Sequence, residues 1–203
     1  MPRKSDKVHW GPDTKKRLAL EAAKLIATES IPNYQQAKKK AAERLGIPAI
    51  RDLPSNKEVE EELRAYQGLF QQDSQPLALY TLRLIAAEAM LFFQLFKPKL
   101  WGAVLDGTAN QHTSIELHVF AETSESFNIF LLDHNIPFEV LNRRYSFGHL
   151  EPETFPLFRF IVQETPIEVT VFPLIRIKQA PSLTPNGNII QRININELNK
   201  LIE

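Results

Sequence analysis

Two glycines five residues apart sit in the run Trp101-Gly102-Ala103-Val104-Leu105-Asp106-Gly107-Thr108, and Ser114-Ile115-Glu116-Leu117-His118 comes soon after. Glycine tolerates positive φ and lets a backbone approach a ligand closely. Backbone N–H groups at such a bend, above all one that opens a helix, can hold phosphate oxygens. Thr108 and Ser114 add hydroxyls to that cradle. Glu116 follows on an alternating segment, and Glu168 lies in a later one, Ile167-Glu168-Val169. Two carboxylates converging beside a phosphate cradle are the layout for metal-assisted nucleotidyl transfer. The acids hold Mg²⁺ or Mn²⁺, and the ion neutralises a nucleoside triphosphate and activates an attacking hydroxyl.

His118 lies two residues beyond Glu116, on the same side of a strand. Glu116, His118 and Glu168 would then form a mixed site for a metal that accepts nitrogen, such as Mn²⁺ or Zn²⁺. The plain alternative is a structural histidine bonded to a neighbour. Asp106, inside the glycine bend, either approaches the same metal or has the usual role of a turn aspartate, bonding its own backbone. Arg143 and Arg144 either grip a phosphate or mark an exposed turn.

The elements that must position these groups differ between the two halves of the chain. Residues 1–97 read as helical. Leu18, Leu20, Ala22, Leu25 and Ile26 form one apolar stripe. Asn33 is placed to cap a second helix, Tyr34 to Leu45, and Ser55 or Asn56 a third. The acids Glu58, Glu60, Glu61 and Glu62 then complement a helix dipole rather than act in catalysis. A fourth helix opens at Gln75-Pro76. Its stretch Leu77 to Phe96 is strongly apolar, but Arg83, Glu88 and Gln94 interrupt it, so a buried helix is expected rather than a membrane span.

Beyond Pro98 the pattern changes to alternation. Leu100 to Leu105 is a short apolar segment, and Ile115 to Phe120 is a strand. Glu125 to Asn135 is a helix. Pro137–Leu141 and Arg144–Phe147 read as a hairpin turning at Asn142-Arg143. Phe155–Gln163 and Ile167–Phe172 read as a pair turning at Thr165-Pro166. Residues 174–203 are a proline-containing loop and a short helix capped by Asn196. The expected class is α+β: a helical N-terminal region (1–97), then a small mixed β-sheet flanked by helices (98–173).

Composition excludes several classes. The chain has 203 residues, no cysteine, and 24 basic against 24 acidic residues. Without cysteine there is no disulfide framework, thiol nucleophile or iron–sulfur cluster. The zero net charge hides an asymmetry: residues 1–51 carry +7, residues 52–66 carry −3 and residues 67–203 carry −4. Lys38, Lys39 and Lys40 head the basic segment and are candidate contacts to a nucleic-acid backbone. The opening MPRKSDKVHWGPD lacks the apolar core of a secretory signal, so a cytoplasmic setting is expected. No Gly-x-Ser-x-Gly, His-Glu-x-x-His or Gly-x-Gly-x-x-Gly occurs.

The segment 98–173 resembles the DNA polymerase beta-type nucleotidyltransferase superfamily, above all its small bacterial members. That signature has Gly-Ser, a second glycine five residues after the first, then Ser-Asp-Ile-Asp-Leu on the next strand. With Leu117 on its leucine, Gly102 and Gly107 fall on the glycines, Ile115 on the isoleucine and Glu116 on the second acid. Glu168 falls on the third acid. Two positions depart: Ala103 replaces the serine and Ser114 the first metal aspartate. The resemblance implies transfer of a nucleoside monophosphate from a nucleoside triphosphate to a hydroxyl, with Glu116 and Glu168 as catalytic metal ligands. The missing acid implies the alternative, a silent relative that binds a nucleotide, a nucleic acid or a protein. A third reading is assembly through the apolar fourth helix.

Overall fold

The computed structural model describes residues 12–29, 31, 34–47, 53–70, 74–148, 151–185 and 187–203. The chain divides into two compact units between Gln72 and Asp73. The fourth helix therefore belongs with the sheet and not with the helices that precede it.

The first unit contains α1 (Pro12–Glu29), α2 (Tyr34–Arg44) and α3 (Asn56–Phe70). Leu18, Ala19, Ala22, Ala23 and Leu25 of α1 pack with Ala37 and Ala41 of α2 and Val59 and Leu63 of α3. The many alanines let the helices approach closely, and each buried leucine contributes about 1.5–3 kcal/mol. Ser55 begins α3 with a capping box: its Oγ accepts from Glu58 N–H at 3.1 Å, and Glu58 accepts from Ser55 N–H at 2.7 Å. Asn33, expected to cap α2, lies outside the described residues.

The second unit is α+β, with a five-stranded mixed sheet. Its elements are α4 (Ser74–Phe92), β1 (Lys99–Trp101), α5 (Ala103–Asp106), β2 (Ile115–Ala121) and α6 (Ser124–Asp133). Then come β3 (Glu139–Tyr145), β4 (Glu153–Val162), β5 (Thr165–Pro173) and α7 (Ile195–Asn199). The strand order is β1-β2-β5-β4-β3. Only β2 and β5 run parallel, and the other neighbours are antiparallel.

Alternation sends the two faces of this sheet to different environments. Ile115, Leu117, Val119, Ile167, Val169 and Val171 point into the main core. There they meet Leu82, Ile85, Ala86 and Met90 of α4, Phe127 and Leu131 of α6 and Leu198 of α7. Trp101, Phe120, Tyr145, Phe155 and Phe172 form a smaller aromatic core on the opposite face.

Several boundaries depart from expectation. Asn142 and Arg143 are not a turn. They pair with Pro156 and Phe155 inside one continuous strand, β3, and neither takes the positive φ that a tight two-residue hairpin requires. The β4–β5 turn falls at Gln163 (φ 48°) and Glu164 (φ 64°), leaving Thr165 paired with Val162. Of the Leu100–Leu105 segment only Leu100 and Trp101 are strand, since Ala103–Asp106 is helical. The last helix is capped by Asn194, not Asn196: Asn194 and Glu197 form a capping box there.

Candidate functional site

Glu116 and Glu168 are brought together. They are paired positions on the parallel strands β2 and β5, so both side chains leave the sheet on the same face. His118 and Thr170 occupy the next such pair. On the far side of β5, Arg159 of β4 is paired with Glu168, and Arg143 of β3 projects from the same face.

A guanidinium fills the space between the two acids. Arg143 Nη1 donates to Glu116 Oε1 at 2.7 Å, and Nη2 donates to Glu168 Oε2 at 2.5 Å. The second oxygen of Glu168 accepts from Arg159 Nε at 3.0 Å and Nη2 at 2.7 Å. Glu168 is buried, whereas the side chains of Arg143 and Arg159 are 28% and 43% exposed. Arg143 also lies 5.7 Å above the Trp101 ring. Burial raises Glu116 to about 7 against the opposing pull of Arg143. The carboxylates raise Arg143 still further above its ordinary value, against its own desolvation.

Gly102 closes the other side of this cluster. It has φ 77° and ψ −157°, a conformation open to glycine alone. A β-carbon built there would overlap Glu116 Oε2. Gly107 ends the short helix α5 in the left-handed region at φ 81°. The amides expected to cradle phosphate are already used: the N–H groups of Gly107, Thr108 and Ala109 all donate to Ala103 O. The carbonyls of Gly107 and Ala109 in turn accept from Gln75 Nε2 of α4, each at 2.9 Å. Thr108 is buried, and Ser114 sits half-buried just before β2.

His118 does not join the acids. It is fully buried and stacks on Trp101 with ring centroids 4.9 Å apart. Its Nε2 bonds Tyr145 Oη at 3.2 Å, and Tyr145 Oη bonds Thr170 Oγ1 at 3.2 Å. Desolvation, with the nearby cations Arg192, Arg143 and Lys99, drives His118 well below the ordinary histidine value, so the ring is neutral.

These residues do not fit a divalent cation as arranged. The inward oxygens of both acids are donated to by one guanidinium, and His118 is committed to Tyr145. Among the described residues no group of three or more histidine, aspartate or glutamate side chains is placed to hold a metal ion. The candidate ligand set Glu116, Glu168 and His118 is therefore replaced by an ionic cluster with a separate aromatic–histidine stack beside it.

The lysine triplet is also divided. Lys38 is buried, with Nζ donating to Pro54 O at 3.0 Å and Asn56 Oδ1 at 2.9 Å, so it is structural and offers nothing to a phosphate. Lys40 pairs with Glu29 at 2.9 Å. Lys39 remains exposed. Successive helical residues lie about 100° apart, and Lys38 is the member of the triplet that shares the inward face with Ala37 and Ala41.

Sequence reasoning missed Arg159 altogether and placed Arg143 on a turn. The available signal was the period of two in β3, which puts Arg143 and Tyr145 on one face. No described helix is long and apolar enough to cross a membrane. No protein-family model matches the chain, and no curated protein matches it.

Proposed function

We propose that this chain is a nucleotidyltransferase-like protein that acts by binding a partner and not by metal-dependent nucleotidyl transfer. The observation that carries this reading is the position of Arg143, whose guanidinium spans Glu116 and Glu168 where an active relative would need a cation. A fixed positive group there pairs with both acids and occupies the space that Mg²⁺ or Mn²⁺ would need. With Arg159 and Glu139 included, the cluster holds two arginines and three glutamates. It offers no excess positive charge for a triphosphate. A cytoplasmic setting, in keeping with a cysteine-free chain, belongs to the same proposal.

The test is thermal shift and turnover with ATP, GTP, CTP and UTP, each with Mg²⁺ or Mn²⁺. The expected result is no metal-dependent shift and no release of pyrophosphate. A metal-dependent shift that Glu116→Ala abolishes would overturn the proposal.

One observation favours the other reading, an active enzyme. Glu116 and Glu168 meet beside Gly102, the pairing that metal-dependent transfer requires. That reading needs Arg143 to swing out when a metal–nucleotide complex arrives, and the same titration decides it.

A further inference from the structure

Helix α4 is apolar on two opposite sides. Leu82, Ile85, Ala86, Ala89 and Met90 face the main core. On the other side Leu77, Tyr80, Leu84 and Leu91 are 68%, 46%, 39% and 55% exposed, and Leu95, in the short turn that follows, is 75% exposed. Ordinary surface helices carry polar residues on their outer face, and a helix apolar all round belongs in an interior.

The spacing describes what would cover it. Leu77, Tyr80, Leu84 and Leu91, with the half-buried Ala87 at the edge of the stripe, recur at alternating intervals of three and four, the seam by which one helix packs along another. A two-fold axis through Leu84 matches the stripe to itself when two copies run antiparallel. Leu84 meets Leu84, Leu77 meets Leu91, and Thr81 meets Ala87. Glu88, the one charged residue in the stripe, meets Tyr80, whose hydroxyl can donate to the carboxylate. A parallel arrangement would instead set Glu88 against Glu88. The five exposed apolar side chains present roughly 500 Å² of the ~800 Å² per partner that a stable interface buries, before the flanking Thr81, Ala87, Glu88 and Gln94 are counted.

We infer that two copies of this chain associate through α4, packed antiparallel about an axis at Leu84. The interface is independent of the ionic cluster, so it stands whether or not the proposed loss of transfer activity is correct.

Sedimentation equilibrium on the full chain tests it. The expected species at micromolar concentration is a dimer. Leu84→Asp, which sets two carboxylates face to face on the axis, should weaken it by ~100-fold or more, given the cost of apposed like charges. Leu91→Asp should do the same at a second point of the stripe, and circular dichroism should show both variants folded, because the side chains point outward. The chain has no cysteine, so Leu84→Cys should oxidise to a covalent dimer while the control Leu132→Cys on α6 does not. A monomer at every concentration overturns the inference, as does a dimer indifferent to both aspartate variants. Cross-linking no better at 84 than at 132 overturns the α4 interface, and a mixture of Leu77→Cys and Leu91→Cys chains that fails to cross-link to each other overturns the antiparallel register.

Discussion

The backbone of Gly102 lies against the carboxylate of Glu116 so closely that no side chain fits between them. Both conditions of this contact are severe: φ of 77° disfavours any L-residue, and the space is filled by an ionised or hydrogen-bonded group. Gly102→Ala should therefore cost about 2–4 kcal/mol, combining backbone strain with displacement of Glu116 from Arg143. Chemical denaturation measures it. A loss below about 1 kcal/mol would show that Glu116 moves aside freely.

Removing Arg143 should expose what it holds. Arg143→Ala leaves two neighbouring carboxylates without their shared partner and should destabilise the second unit by about 3–5 kcal/mol. The double variant Arg143→Met with Glu116→Gln should recover part of that loss, since Glu168 keeps Arg159. Thermal shift of Arg143→Ala with Mn²⁺ should be positive, in contrast to the unaltered chain.

Burial raises Glu116 to about 7 in the folded protein, above its unfolded value near 4.5. The folded state then binds the extra proton between those limits, so stability falls as pH rises from about 4.5 to 7. Glu116→Gln should flatten that slope, as urea midpoints taken across the range would show.

His118 gives the opposite slope. Its folded value is pushed well below the ordinary 6.5, so the unfolded chain takes up the proton first. Stability should fall as pH drops below about 6.5, and the imidazole NMR resonances should not titrate between pH 6 and 8. Tyr145→Phe removes the hydroxyl between His118 and Thr170 and should cost about 1–2 kcal/mol.

In the first unit, the capping box holds Glu58 down to about 2, through hydrogen bonds from Ser55 and the nearby Lys15. Its contribution is present above pH 4.5 and is lost as pH falls toward 2. Ser55→Ala should cost about 1 kcal/mol at neutral pH, with a smaller difference at pH 2.5. Lys38→Ala should destabilise by more, about 2–3 kcal/mol, because Pro54 O and Asn56 lose a buried donor. It should leave any affinity for nucleic acid unchanged, which filter binding would verify.

The residues that local chemistry controls were legible in the sequence. Ser55 and Glu58 announce a helix start because a cap needs only three neighbouring residues. The alternation of Ile115 to Phe120 predicted which side chains share a face, since the period of a strand is a property of its own backbone. It thereby placed Glu116 opposite Leu117 and beside His118. The glycines at 102 and 107 marked a bend that other residues cannot make.

What surrounds those residues was decided elsewhere. Arg143 and Arg159 reach Glu168 only because β4 and β3 lie beyond β5 in the sheet, and strand order depends on long-range pairing that no local window encodes. The same pairing made Asn142-Arg143 strand instead of turn. Helix periodicity set the spacing of Lys38, Lys39 and Lys40, but packing against Pro54 and Asn56 chose which of the three to bury. A sequence fixes what each side chain can do. Tertiary structure determines whether an acid meets a metal or an arginine, because that depends on which distant strand arrives beside it.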